Sequence, residues 1–291
     1  MNEESDNIQY EERLIAFIDI LGFKDIVRRS ERSPRTLKLI YDSLSFLKMR
    51  ENSSKWDIQL IEIEEDAQKR NMAKFNITNR TFCSSFSDSI AVSVSYDEDS
   101  INESFSTLVA NLSFVGARLM TNGILFRGGI TSGNIHAENG IIFGQGLIDA
   151  YELESKIARF PRILISDKLL KRLNYPLLSK HDRYPYHQYL RRFDDGCVGF
   201  HQMAYFEVLQ NWVKMSDSIL VSSLGRIKST IIKGLDSTFE IPSVYEKYRW
   251  LKYEYNQLVI LNDLKPKLYE LNENTQGHNI HFTHTDKLNN R

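Results

Sequence analysis

The stretch AFIDILGF, Ala16–Phe23, decides the fold and raises a question about charge. Its apolar run, broken by a glycine, predicts a buried β-strand over Arg13–Ile20 that leads into a turn at Gly22. Asp19 lies at the end of this strand among apolar neighbours. Because a buried, unpaired carboxylate is costly, Asp19 must become neutral, find a partner or hold a cation.

A second stretch, RTFCSSFSDSIAVSVS (Arg80–Ser95), alternates apolar and polar residues on both sides of a break at Ser87-Asp88. This pattern predicts a β-hairpin. Further along, the spacing predicts a helix over 101–122, a strand in ILFRGGITSGNIHA, a turn in GIIFGQG, a helix in GLIDAYELESKIA and a strand at RILIS. The resulting order, β-α-β-β-α-β, is typical of an α+β fold: a ferredoxin-like antiparallel sheet with helices on one face.

The length of 291 residues suits one large domain with an accessory segment. We expect an N-terminal arm or lid over 1–12, the main domain over 13–200, a helical extension over 201–270 that could form a dimer contact, and a polar tail over 271–291. Residues 51–79 are rich in charge and amide groups and predict a helical or irregular insertion.

The composition narrows the class of partner. The 37 Lys and Arg residues nearly balance the 38 Asp and Glu residues, so no overall basic field points to nucleic acid. The two cysteines, Cys83 and Cys197, are too few for a disulfide framework. No apolar run approaches the roughly 20 residues that span a bilayer. These features predict a cytoplasmic protein with no membrane and no nucleic-acid partner.

The hairpin supplies a partner for Asp19. Asp88 lies at its tip, and in a β-α-β-β unit this tip can neighbour the end of the first strand, so the two carboxylates would converge. Both would stay ionised around Mg²⁺ or Mn²⁺, with the carbonyl of Ile20 as a further oxygen ligand. The turn LGFKD then offers backbone N–H groups and a helix N-terminus to a polyphosphate. The alternative is that Asp19 caps the following helix and Asp88 is an ordinary turn residue.

Four motifs together resemble the class III nucleotide cyclases. FIDILGF is similar to their first metal-binding motif, FSDS to the second metal aspartate, FRGGITSGNI to the arginine–glycine strand and GQGLIDAYELE to the helix after it. The chain departs from purine cyclases at four positions: Ser84 replaces a base-reading lysine, Ser87 a glycine, Ile148 an asparagine and Glu152 an arginine. DILGF, SDS, RGGI, AYELE and PRILIS together look most like the bacterial pyrimidine cyclases of anti-phage Pycsar systems.

The resemblance implies that UTP or CTP is cyclised to 3′,5′-cyclic UMP or CMP with release of pyrophosphate, and that a separate effector senses the product. It also implies a homodimer and two bound Mg²⁺ or Mn²⁺ ions. The expected catalytic residues are Asp19, Asp88 and Arg127, with Asp19, Ile20 and Asp88 as metal ligands. The expected substrate-binding residues are Gly22, Phe23, Lys24, Ser84, Tyr151 and Lys156. Arg159 is a further phosphate-binding candidate, and Arg127 could instead form a structural ion pair.

Two other functions fit the same residues. One is an adenylate or guanylate cyclase with atypical base recognition. The other is a catalytically silent, cyclase-like module that binds nucleotide or a partner. The intact pair of aspartates argues for an enzyme, whereas Ile148 and Glu152 in place of asparagine and arginine argue for the silent module.

Overall fold

The computed structural model describes residues 8–48, 81–176, 185–212 and 217–261. It contains a sheet of eight strands: β1 (Glu11–Leu21), β2 (Thr81–Phe86), β3 (Ser89–Ser95), β4 (Leu125–Glu138), β5 (Ile141–Phe143), β6 (Arg162–Ile165), β7 (Arg191–Arg192) and β8 (Val198–His201). The helices are α1 (Phe23–Ser30), α2 (Pro34–Lys48), α3 (Ile101–Thr121), α4 (Gln145–Glu152), α5 (Asp167–Arg172), α6 (Ala204–Trp212), α7 (Asp217–Thr238) and α8 (Pro242–Leu261). The insertion predicted over 51–79 and the tail predicted over 271–291 lie outside the described residues.

The fold is α+β, as the element order predicts, and β1 lies at the centre of the sheet. The strand order is β2-β3-β1-β4-β6-β8-β7, with β5 paired to β4 alone. The sheet departs from the predicted antiparallel arrangement in one place, because β4 and β6 run parallel. Their connection contains α4, and a helical crossover of this kind is what joins parallel neighbours. The stretch GIIFGQG, predicted to be a turn, also contains the short strand β5.

Both faces of the sheet carry helices, so the prediction of helices on one face is wrong. Alternate residues of β1, including Leu14 and Ala16, pack with α3 in the main core. The residues between them, Ile15 and Phe17, pack instead with α4 on the opposite face. Since β1 is apolar on both sides, it needs cover on both sides. We call the second side of the sheet the α4 face.

A glycine in β4 lets α4 lie close against the sheet. A Cβ atom at Gly129 would come within 2.7 Å of the carbonyl oxygen of Ala150 and within 2.8 Å of the Cβ of Leu153. No side chain fits in that space. The close approach fixes the end of α4 directly over β1 and β4.

The C-terminal helices share a core with the sheet domain. Helices α7 and α8 pack together, and their buried residues join Met120 of α3 and Leu125 of β4 in a single apolar cluster. A smaller cluster brings Trp250 of α8 against Leu164 of β6 and Phe193. Helix α8 therefore reaches the α4 face of the sheet. Within the described residues, no helix combines the length and apolarity required to cross a bilayer.

Candidate active site at the ends of β1 and β4

The structure brings Asp19 and Asp88 together as predicted from the sequence. The register of β1 and β3 pairs Asp19 with Ser89, the residue that follows Asp88. The backbone N–H of Ile20 donates a 2.9 Å hydrogen bond to the carbonyl oxygen of Asp88. The two aspartates therefore lie on adjacent strand ends, although far apart in the sequence.

The surroundings of Asp19 disfavour its ionised form. Burial raises the pKa of Asp19 and the charge of Asp88 raises it further, while the guanidinium of Arg127 opposes both effects. A divalent cation between the carboxylates would favour their ionised forms. The chemistry of these oxygen donors thus fits Mg²⁺ or Mn²⁺, which are usually held by one or two carboxylates together with substrate phosphates.

Arg127 is the cation already present at the site. It lies directly opposite Asp19 in the register of β1 and β4. Its Nε is 3.3 Å from Oδ2 of Asp19 and 2.6 Å from Oε1 of Glu154, and its Nη1 donates to the carbonyl of Ala158 at 3.4 Å. The structural ion pair considered for Arg127 is therefore present. The same pairing holds the guanidinium between Asp19 and Glu154.

Glu154 is a third carboxylate that the sequence analysis missed. Its side chain is only 2% exposed, and burial raises its pKa to about 7, with Arg127 opposing and Asp19 and Asp88 adding to the rise. It lies in a π-helical turn, Leu153–Ile157, that extends α4. A signal was available in the sequence, because Glu154 follows Leu147 and Ala150 at helical spacing on the stripe that packs on the sheet.

Lys247 of α8 is a second cation that sequence reasoning missed. It interacts electrostatically with Asp19, Glu154 and Arg127, and burial, followed by the charge of Arg127, lowers its pKa. Its position in the sequence carries no signal, since Lys247 lies about 120 residues beyond Arg127 in a helix whose docking depends on tertiary packing. The site thus contains three carboxylates and two cations.

The side chains of this cluster do not form a complete set of metal ligands. Nowhere in the described ranges do three or more His, Cys, Asp or Glu side chains form a group that could by itself hold a metal ion. Arg127 lies between Asp19 and Glu154, so these two carboxylates share a guanidinium. The predicted ligand set of Asp19, Asp88 and the Ile20 carbonyl would be incomplete without oxygens from a substrate or water.

The turn after β1 has the features expected of a phosphate site. Gly22 has a φ of +70° and precedes α1, which begins at Phe23. The first N–H groups of a helix lack intrahelical partners and attract anions. Lys24 is exposed in the first turn of this helix. The three predicted substrate-binding residues of this turn, Gly22, Phe23 and Lys24, therefore lie directly after the end of β1 that carries Asp19.

The other predicted substrate-binding residues lie away from the carboxylates or have other partners. Lys156 is exposed and forms an ion pair with Glu152 at 2.7 Å. Tyr151 is half exposed and packs edge-to-face on Phe17, with ring centroids 5.4 Å apart. Ser84 is half-buried in β2, two strands from β1, and Arg159 is exposed.

Ser87 is one of the positions at which the sequence departs from the cyclase motifs, and the backbone conformation there is still that of a glycine. It occupies the position where purine cyclases have glycine, and its φ is +57°. Only glycine adopts this left-handed region without a steric cost, which is about 1–2 kcal/mol for other residues. The hairpin tip keeps a glycine-like backbone despite the serine, and so keeps Asp88 in place.

Comparisons with known proteins find similarity in structure alone. No family model matches the chain, and no curated protein matches it. Among solved structures, a class III adenylyl cyclase-like ATP-binding protein from Pseudomonas aeruginosa matches with a TM-score of 0.38 and 14% identity. The match covers 69% of this chain and 40% of that one, so the chain spans well under half of its length.

Two guanylyl cyclase structures are similar to the same degree. The monomeric guanylyl cyclase domain of the RhoGC fusion protein from Blastocladiella emersonii has a TM-score of 0.37 and 16% identity, over 66% of this chain and 95% of that one. The catalytic core of a rhodopsin-guanylyl cyclase with converted specificity, in complex with ATPαS, has a TM-score of 0.34 and 17% identity, over 66% and 94%. All three neighbours carry cyclase names, but at these scores the functional argument rests on the residues of this chain.

Proposed function

We propose that this protein is a metal-dependent nucleotide cyclase that converts UTP or CTP into the 3′,5′-cyclic monophosphate and pyrophosphate. The observation that carries the proposal is the meeting of Asp19 and Asp88 beside Arg127 and the start of α1. Two acidic groups beside a helix N-terminus suit the binding of a metal–triphosphate complex. Such a site could perform several kinds of phosphoryl transfer. The cyclase motifs of the sequence favour cyclisation among them.

The proposed mechanism gives a role to each of these residues. Asp19, Asp88 and the Ile20 carbonyl would hold the divalent ions, which would supply a lowered pKa of the ribose 3′-hydroxyl and charge neutralisation on the triphosphate. The 3′-oxygen attacks the α-phosphorus in line, a new P–O bond forms, the bond to pyrophosphate breaks and the hydroxyl proton passes to solvent. Arg127 and the N–H groups at the start of α1 orient the phosphates. No side-chain nucleophile takes part.

The preference for a pyrimidine rests on the departures from the purine motifs. Ser84, Ile148 and Glu152 replace the lysine, asparagine and arginine of purine cyclases. The resemblance to Pycsar cyclases favours uracil or cytosine. In this proposal the cyclic nucleotide is a second messenger of anti-phage defence, read by a separate effector protein.

A homodimer is part of the same proposal. Several large apolar side chains are exposed around β5 and α4, among them Ile141, Phe143, Ile148 and Tyr151, with Ile148 51% exposed. An exposed apolar patch of this kind is typical of an interaction surface. We assign it to a second copy of the chain. Sedimentation should show a dimer for the native chain and a monomer for Ile148→Asp; a monomeric native chain would overturn this assignment.

The reaction is tested with the purified chain, Mn²⁺ and each of the four nucleoside triphosphates, with products identified by mass. We expect cyclic UMP or cyclic CMP. Cyclic AMP or cyclic GMP would replace the pyrimidine assignment with a purine one. Nucleotide binding with no cyclic product would overturn the enzymatic proposal in favour of a silent binding module.

A further inference from the structure

Helix α8 runs along the edge of the sheet where β1 ends and where β4, β6 and β7 begin. We call this edge the row of strand ends, and the candidate site lies at β1 and β4. Lys247 interacts with Asp19 and Glu154 below β1 and β4. One turn later, the ring of Trp250 stacks on Phe160, just before β6, with centroids 5.3 Å apart. Glu254, one further turn along, pairs with Arg191 of β7. Residues at this spacing share one face of a helix, so a single face of α8 spans the sheet from β1 to β7.

A cavity lies along this helix, lined by Trp250 and Glu254 of the same helix face. Its volume is about 370 Å³, and β6, the β7–β8 hairpin and α8 form its walls. We call it the arginine–aromatic pocket. Its walls combine aromatic rings with guanidinium groups, and the lining residues include Phe160, Arg162, Arg191, Trp250, Tyr253 and Gln257.

The buried arginine of this pocket is held rigidly by aromatic and acidic partners. Arg162 is 1% exposed, its guanidinium carbon lies 4.7 Å from the centroid of the Phe193 ring, and its terminal nitrogens pair with Asp195. Its Nε, like that of Arg191, is buried without a hydrogen-bond partner in the described part of the chain. A buried, unsatisfied N–H costs about 1–3 kcal/mol. A carbonyl acceptor on a bound ligand would satisfy it.

The charge of the pocket indicates a neutral ligand. The three lining arginines are matched by three lining carboxylates, those of Asp194, Asp195 and Glu254. A free anion would gain little in such a balanced site. A flat, neutral ring that carries carbonyl oxygens would stack on the aromatic walls and accept from the guanidinium groups. Nucleobases have this chemistry.

The pocket lies within reach of the phosphate-binding residues. The carbonyl of Ala158 accepts from Arg127, and Phe160 follows two residues later, at most about 7 Å further along the chain. Lys247 and Trp250 are separated by about 4.5 Å along the axis of α8. In the register of the sheet, Arg162 falls next to Arg127, because Ile163 pairs with Gly128. A nucleotide with its phosphates at Arg127 and Lys247 can therefore place its base at this pocket.

We propose that the arginine–aromatic pocket binds the nucleobase of the substrate and that α8 of the same chain forms its floor, with Lys247 beside the phosphates. This inference rests on the proposed function for the identity of the phosphate site and adds to it the place where the base is recognised. The helical extension is then part of the active site as well as part of the core.

The test separates recognition of the base from recognition of the phosphates. Gln257→Trp fills the pocket from a half-buried position of α8, and Arg249→Trp adds the same bulk at an exposed position of that helix. Calorimetry with Mn²⁺ compares a non-hydrolysable UTP analogue with inorganic tripolyphosphate, which has no base. We expect Gln257→Trp to weaken the analogue at least tenfold and to leave tripolyphosphate unchanged, whereas Arg249→Trp changes neither.

A second variant guards against misfolding of the first. Tyr253 lines the pocket but is 43% exposed, so Tyr253→Ala removes a wall without opening the core. It should weaken the analogue severalfold and spare tripolyphosphate.

Three results would overturn the inference: native binding of the analogue by both variants, equal weakening of both ligands, or a native chain that binds the analogue no tighter than tripolyphosphate. Selective loss of the analogue in a protein that forms no cyclic product would leave the pocket assigned and remove the cyclase proposal.

Discussion

The row of strand ends has two halves, one at β1 and β4 and the other at β6, β7 and β8. They differ in how their charges are balanced. Below β1 and β4, Asp19, Asp88 and Glu154 face Arg127 and Lys247, and two of the carboxylates have raised pKa values. Near β6, β7 and β8, the charged side chains lie beside partners of opposite charge, as in the ion pairs of Arg162 with Asp195 and of Arg191 with Glu254. The pairing with Arg162 lowers the pKa of Asp195.

The difference separates a site where three carboxylates outnumber two cations from one where three arginines face three carboxylates. A bound divalent ion would favour the ionised carboxylates of the first half, whereas the second half offers hydrogen bonds and ring surfaces without net charge. A nucleotide has both parts, a charged triphosphate and a neutral base.

The largest effect is expected at the aspartates. Asp19→Asn and Asp88→Asn should each lower cyclic nucleotide formation by about a thousandfold or more, because each would remove a proposed ligand of the divalent ions. Circular dichroism should show an unchanged fold. Asp236→Asn, at an exposed position of α7, is the matched control and should be fully active. An Asp19→Asn variant with near-native turnover would contradict the assignment of the site.

The next effect concerns the contact between α4 and β4. Gly129→Val should lower the free energy of unfolding by about 3 kcal/mol, because its side chain would meet the backbone of Ala150. Urea denaturation measures this loss. Ala137→Val, on the same strand at a half-buried position, should change the unfolding free energy much less. Equal stability of the two variants would show that α4 does not need the close approach.

Glu154 should have a smaller effect, on activity. In Glu154→Gln the guanidinium of Arg127 keeps only Asp19 as a charged partner, so it competes more strongly with the divalent ion for that carboxylate. We expect turnover at limiting Mn²⁺ to fall about tenfold, or about 1.4 kcal/mol. Glu152→Gln removes an exposed carboxylate two residues away and should have no such effect. Recovery at saturating Mn²⁺ would support competition, and its absence would contradict it.

The smallest expected effect is a difference between the two halves in how they make the stability of the protein depend on pH. Burial raises the pKa of Glu154 to about 7, so its contribution to stability is present at low pH and is lost as pH rises through about 7. Burial lowers the pKa of His201 on β8, so stability is full above the usual value of about 6.5 and falls as pH drops below it.

Thermal unfolding between pH 5 and 8 checks both signs. Glu154→Gln should remove the loss on the alkaline side, and His201→Asn should remove the loss on the acid side. Identical pH profiles for the two variants would contradict the comparison between the halves.

Much of the fold and part of the site could be predicted from local pattern. The apolar run before Gly22 predicts β1, and the alternation around Ser87-Asp88 predicts the hairpin, because side-chain period follows backbone geometry. The juxtaposition of Asp19 and Asp88 followed from the order of the elements. The short strand β5, the parallel pairing of β4 with β6 and the position of α4 could not be predicted in this way, since they depend on which faces need cover.

The sequence by itself determined the class of fold and the two acidic residues, because strand periodicity and the cost of a buried carboxylate act within a few residues of chain. Only the tertiary structure decided that Glu154 and Lys247 join Asp19 and that α8 closes a pocket beside them. Those contacts depend on the packing of helices on both faces of the sheet, and packing of that kind links residues with no relation in sequence spacing.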